Sequence, residues 1–140
     1  MIILDTNVIS ELMRAAPDQK VLDWAGEQPM ASLFTTTLSQ AEILYGLALL
    51  PDGRRREALM AAAQPMFAVD FAGRVLPFDG DAAIAYADIA ATRKQAGRPI
   101  SQFDAQIAGI ARSRGARLAT RNGRDFAGCG LTIVDPWKRP

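Results

Sequence analysis

Four acidic residues in this sequence are spaced so that they can share one site: Asp5, Glu42, Asp104 and Asp125. Each stands where a short apolar run gives way to a helical pattern or a turn, in ILDTN, LSQAE, ISQFD and TRNGRD. Clustered carboxylates repel one another and suit a hard divalent cation, which prefers all-oxygen coordination. Magnesium or manganese held in this way polarises a phosphate and lowers the pKa of a water. That is equipment for hydrolysing a phosphodiester without histidine, and the chain has none. No other side chain here has an ordinary pKa suited to a general base at neutral pH, so metal activation is the simpler route. Asp5 and Asp104 are assigned as direct ligands, and Glu42 and Asp125 as acting partly through water. Thr120 and Asn122, in the same run as Asp125, supply neutral oxygens and donors for orienting a ligand, a water or a phosphate.

Each acid also has a structural explanation. Ser39-Gln40-Ala41-Glu42 spells a capping box, and Ser101-Gln102-Phe103-Asp104 its looser form. Acids in a first helical turn are favoured by the helix dipole. Asp5 and Asp125 can cap the turns that follow them. Four independent caps have no reason to lie on one edge, whereas a metal site requires it.

The elements that must position these residues follow from apolar periodicity. Residues 2–4, 33–36, 75–78, 117–120 and 131–134 read as strands. Between them run helical patterns: one on Val8, Ile9, Leu12 and Met13, and one opened by Pro17-Asp18. A third covers residues 39–50 and stops at Pro51-Asp52-Gly53; a fourth starts near Arg54 and breaks near Pro65. Residues 82–95 and 101–114 complete the set, the last closed by Gly115 at a C-terminal capping position. Strands alternating with helices predict an α/β domain over residues 1–140, with a parallel sheet covered on both faces. Right-handed crossovers point every strand the same way. Ligands then gather outside the carboxyl ends of the strands, where strand order reverses. If strands one and four are neighbours, all four acids converge there.

Composition sets the class. About half of the 140 residues are hydrophobic (49%), which suits a packed domain, and no apolar run reaches the ~20 residues that span a bilayer. MIILDTN has no basic segment and reads as a strand rather than a signal peptide. A lone cysteine, Cys129, excludes an internal disulfide and reads as a small residue in a glycine-rich loop. A cytoplasmic location is expected. The charges balance, 16 basic against 15 acidic, but Arg112, Arg114, Arg117, Arg121 and Arg124 form a basic stretch with no acid before Asp125. Arg112, Arg121 and Arg124 are candidates for contacts to a nucleic-acid backbone. Arg54, Arg55 and Arg56 read as a solvated helix start.

The runs ILDTNVISEL, LSQAEILYG, ISQFDAQIAGIA and LATRNGRDF, in this order, resemble the PIN domain, and closely the VapC toxins including their FitB-like branch. The resemblance covers essentially the whole chain. It implies a three-layer α/β/α fold with a five-stranded parallel sheet in the order 3-2-1-4-5. It also implies that Asp5, Glu42, Asp104 and Asp125 match the metal-binding acids, with Thr120 and Asn122 around them. The activity implied is a Mg²⁺- or Mn²⁺-dependent endoribonuclease. The implied partners are an RNA substrate, a second copy of the chain, and a VapB-like antitoxin whose tail blocks the site, with a larger toxin–antitoxin assembly among the implied states. Leu12, Met13, Trp24, Leu44, Tyr45, Leu47 and Leu50 are the expected docking surface.

Two alternatives differ in kind. A receiver-type phosphoacceptor domain would use Asp79 after the third strand. It also wants a second acid beside Asp5 and a lysine after strand five, where Thr6 and Asn7, and Asp135 and Pro136, stand. A PIN-fold binding module without catalysis is opposed by the complete acid set.

Overall fold

The computed structural model describes residues 1–138. Strands β1 (Ile2–Leu4), β2 (Leu33–Thr36), β3 (Val75–Leu76), β4 (Arg117–Ala119) and β5 (Ile133–Val134) form one parallel sheet in the order β3-β2-β1-β4-β5. Helices α1 (Thr6–Leu12), α2 (Gln19–Glu27), α3 (Thr37–Ala48), α4 (Arg54–Pro65), α5 (Gly80–Gln95) and α6 (Gln102–Ser113) cover it. The expected fold and strand order are both present.

The sheet is buried on both faces, and its central strand β1 is apolar and buried at every position. Successive side chains of β1 point to opposite faces. Ile2 and Leu4 join one core with Val8, Ile9, Trp24, Ile43 and Phe67. Ile3 joins the other with Ile89, Ile107, Ile110, Leu118 and Phe126. No described helix is long and apolar enough to cross a membrane.

Register decides what happens at the carboxyl edge. Ile2, Ile3 and Leu4 stand opposite Arg117, Leu118 and Ala119. The Asp5 amide then donates to Ala119 O at 2.9 Å, and the Thr120 amide to Val134 O at 2.9 Å. Asp5 and Thr120 therefore leave adjacent strands at the same level. The chain winds from β1 through β2 to β3 on one side and returns to β4 and β5 on the other, so this edge is the switch point.

Several local expectations are corrected. Helix α3 follows β2 without a loop, so its cap is Thr36, whose hydroxyl accepts the Ser39 amide at 3.1 Å. Ser39 lies inside the helix, the Ser39–Glu42 capping box does not form, and Glu42 falls in the second turn. By contrast, Ser101 does cap α6 through the Asp104 amide at 3.1 Å. Helix α4 ends at Pro65, where the break is expected. The chain widens into a π-type turn at Met66–Asp70, with the Phe71 amide reaching Met66 O at 2.9 Å. Strands β3 and β5 are shorter than expected, and α5 starts at Gly80 behind an Asp79 cap. Gly115 closes α6 with φ +63°, as its position after the helix predicts.

Helices α5 and α6 approach closely at Gly109, where a Cβ would sit 2.7 Å from Ala82 O and 3.0 Å from Tyr86 N. Both are backbone atoms and cannot swing away. Gly109→Ala should therefore destabilise the protein by roughly 1–3 kcal/mol, despite alanine's better helix propensity. A urea midpoint at or above that of the parent would show that the helices do not meet this tightly.

Candidate functional site

Asp5 ends β1 and caps α1. Its Oδ1 accepts the Thr6 amide at 2.8 Å and its Oδ2 accepts the Thr120 hydroxyl at 2.8 Å. Thr120 Oγ1 in turn accepts from Asn7 Nδ2 at 3.2 Å and from the Asn122 amide at 3.1 Å, so the hydroxyl uses its donor and both lone pairs. Asn7 Nδ2 also stands 3.4 Å from Asp5 Oδ2, and Asn7 Oδ1 accepts the Arg121 amide at 3.2 Å. Asp5 is buried, and the hydrogen-bond donors it meets are all neutral.

Glu42 arrives from α3 beside Thr6. Thr6 Oγ1 lies 3.3 Å from Glu42 Oε2 and 2.9 Å from Ser39 Oγ. Ser39 thus spends its hydroxyl on the site rather than on a helix cap. Asp104 stands in the first turn of α6. Asp5, Glu42 and Asp104 share the wall of one cleft of about 490 Å³, with Thr6, Asn7, Phe103, Arg121, Asn122 and Trp137 around them.

Asp125 is placed differently. It lies on an exposed 3₁₀ turn (Gly123–Phe126), outside that wall but near enough to Asp104 to raise its pKa by repulsion. The turn is held from behind by Arg93 of α5. This guanidinium is buried, donating from Nη1 to Asp125 O and Ala127 O, both at 2.9 Å, and from Nε to Arg98 O at 2.7 Å. Cys129 is buried against the same group, with its sulfur 3.7 Å from Nη1.

The electrostatics follow from this geometry. The pKa values of Asp5, Glu42 and Asp104 are all pushed up, first by burial. Hydrogen bonds oppose the shift: Thr120 and Thr6 at Asp5, Thr6 at Glu42, Ser101 at Asp104. Repulsion adds to it, from Asp104 and Glu42 on Asp5, from Asp104 on Glu42, and from Asp125 on Asp104. Three acids that each cost free energy to ionise, facing one space, would gain from a cation. Among the described residues no three acidic, histidine or cysteine side chains already stand close enough to enclose one ion. The donor set still fits a small hard cation that keeps several waters and takes only one or two carboxylates directly.

The predicted arginines part company. Arg121 lines the cleft, with its guanidinium 4.9 Å over the Trp137 ring. Arg124 is exposed on the turn with Asp125. Arg112 is not brought to the site: it sits in the last turn of α6 and pairs with Asp88 at 2.7 Å. Asp79, the rival phosphoacceptor, follows an edge strand, caps α5 and stands 3.5 Å from Arg114. Sequence reasoning missed Thr6, Asn7, Ser39, Arg93 and Trp137. Thr6 and Asn7 directly follow Asp5, and Trp137 follows β5 at the same edge, so the strand-end rule could have found those three. Nothing local marks Ser39 or Arg93.

The chain and its fold have counterparts among known proteins. The model of the PIN domain matches residues 2–128. A VapC ribonuclease of Sinorhizobium fredii is 43% identical over 138 residues, covering 99% of each chain. The plasmid stability protein StbB of Pseudomonas syringae is 41% identical over 138 residues, again with 99% of each covered. The crystal structure of FitAcB from Neisseria gonorrhoeae superposes with a TM-score of 0.93 at 34% identity, covering 99% of this chain and 100% of that one.

The raised pKa values carry a sign for stability. An acid whose folded pKa lies above its unfolded value destabilises the fold once ionised, and this is relieved as pH falls through the folded value toward about 4. In chelator, these three acids should make the protein gain stability as pH falls from neutral toward their unfolded values of about 4. Glu42→Gln and Asp104→Asn should each flatten that gain. A parent urea midpoint that falls over this range, in parallel with both variants, would show that ionising these acids costs the fold nothing.

Proposed function

The chain belongs to the PIN-domain family, and we propose that within it this protein is a Mg²⁺- or Mn²⁺-dependent endoribonuclease acting as the toxin of a toxin–antitoxin pair. The observation that carries this is the meeting of Asp5, Glu42 and Asp104 at the switch point, each made costly to ionise by burial and by another acid. The ribonuclease named among its relatives supports RNA as the substrate.

Asp5 and Asp104 would hold the ion directly, with Glu42 and Asp125 contributing through water. A bound ion would polarise the scissile phosphate and lower the pKa of a water, which is the whole need of a site without a histidine base. The chain's own groups prepare this. Thr120 and the Thr6 amide fix the two Asp5 oxygens, which settles where that carboxylate points. Thr6 restrains Glu42, and Arg93 locks the backbone of the turn bearing Asp125. Asn122 faces the cleft and is free to meet a phosphate oxygen or a water.

A second copy of the chain and a VapB-like antitoxin are the proposed protein partners. The expected docking surface needs revision. Trp24 and Leu47 belong to the core, Leu12, Met13 and Leu50 pack against it, and Leu44 and Tyr45 are exposed. What remains is a groove of about 930 Å³ lined by Met13, Tyr45, Leu49, Leu50 and Leu59. It shares Thr6, Ser10, Arg14 and Glu42 with the acidic cleft, so a segment lying in it would lead to the acids.

Because Glu42 caps nothing, glutamine removes only its charge. Glu42→Gln should hold or raise metal-free stability, weaken manganese binding, and slow RNA cleavage at least about tenfold. Cleavage at the parent rate with the parent's metal dependence would remove Glu42 from the site. Millimolar Mn²⁺ should raise the melting temperature of the parent, because the ion binds only the folded cluster. A chelator should stop RNA cleavage. Chelator-resistant cleavage by protein free of contaminating nuclease would overturn the mechanism.

A further inference from the structure

Several of the described arginines are held by acids or by carbonyls. Arg14, Arg56, Arg112 and Arg114 each have a carboxylate partner, and Arg93 is enclosed by carbonyls. Arg121 has no acidic partner among the described residues, although it lines a cleft whose wall carries the carboxylates of Asp5, Glu11, Glu42 and Asp104. Its guanidinium lies instead over the indole of Trp137, 4.9 Å from the ring centroid. Both ends of this pair are tied down. The Arg121 backbone amide donates to Asn7 Oδ1 at 3.2 Å, inside the network that holds Asp5. The Trp137 amide donates to Asp135 Oδ1 at 2.9 Å, and its ring packs against the core. Arg121 is exposed, while Trp137 is half-buried.

A guanidinium ordered on an aromatic ring is a flat, charged surface. Its outer face stacks on a nucleobase, and its edge donates to a phosphate. We propose that the Arg121–Trp137 pair is a nucleotide subsite on the wall of the acidic cleft. There it stacks the base of a nucleotide flanking the scissile phosphate of single-stranded RNA. Trp137 is a positioning residue: it holds the guanidinium plane toward the cleft and keeps it from folding onto the acids. Stacking accepts every base, so the subsite adds affinity and directs the strand without reading sequence. Only the identity of the strand as substrate rests on the endoribonuclease reading above.

Binding and cleavage are measured separately. In chelator, a ten-nucleotide 2′-O-methyl RNA should quench part of the tryptophan emission of the parent, because a base reaches the pair. Trp137→Phe should lose that quenching while Trp24, buried in the core, still emits. With Mn²⁺ and unmodified RNA, Arg121→Ala should raise KM roughly 5- to 100-fold, with a smaller change in kcat. Trp137→Ala should match it, Trp137→Phe should recover most of the loss, and the double variant should be no worse than either single one. In the parent, an abasic nucleotide beside the cleaved bond should reproduce the penalty. Absence of quenching, or parent-like KM in Arg121→Ala, overturns the subsite. So does an abasic strand that the parent binds as well as an intact one. Arg121→Ala and Trp137→Phe keep the test decisive if Trp137→Ala fails to fold. Quenching without any cleavage by the parent would uphold the subsite and overturn the hydrolase reading instead.

Discussion

The parallel pairing of β1 with β4 is the constraint on which the site depends. Leu4 stands opposite Ala119, so Asp5 and Thr120 emerge side by side and join through a 2.8 Å hydrogen bond. Burying a carboxylate is expensive unless it is paired or well hydrogen-bonded. Here it is hydrogen-bonded but not neutralised: an amide, a hydroxyl and a carboxamide meet Asp5, and no cation among the described residues does. A shift of one residue in this register would turn the β1 side chains to the wrong cores and separate Asp5 from Thr120.

The surroundings keep that charge open. Arg14, the arginine nearest in sequence to Asp5, is occupied by Glu11 at 3.0 Å, and Glu11 also accepts the Asp18 amide at 3.0 Å. Arg93, which approaches Asp125, presents itself to its carbonyl oxygen rather than to its carboxylate. A buried arginine paired with an acid would have quenched the site. One satisfied by carbonyls organises the backbone and leaves the acid free. The same logic separates Arg121, stacked on an indole, from the arginines that form ordinary surface pairs worth little to stability.

The acidic cleft and the apolar groove meet at Thr6, Ser10, Arg14 and Glu42. Substrate and a protein partner would therefore compete for the same corner of the molecule. Helix α3 makes this possible, presenting Glu42 to the acids and Tyr45 and Leu49 to the groove within two turns.

The sequence by itself determined the alternation of strands and helices, the placing of Asp5 and Asp104 at strand and helix ends, and the Ser101 cap. Those are local matters of period, turn chemistry and first-turn preference, and they survive in the structure. It misplaced the start of α3, because a strand running straight into a helix leaves no turn signal and hands the cap from Ser39 to Thr36. Tertiary structure alone decided that Arg112 turns to Asp88 while Arg121 turns to the cleft, since both belong to one basic run. It alone brought Asn7 to Thr120, 113 positions apart, and Arg93 behind Asp125, 32 positions apart. Such contacts are set by strand register and helix docking, and those depend on which faces of distant segments bury each other rather than on any local pattern of residues.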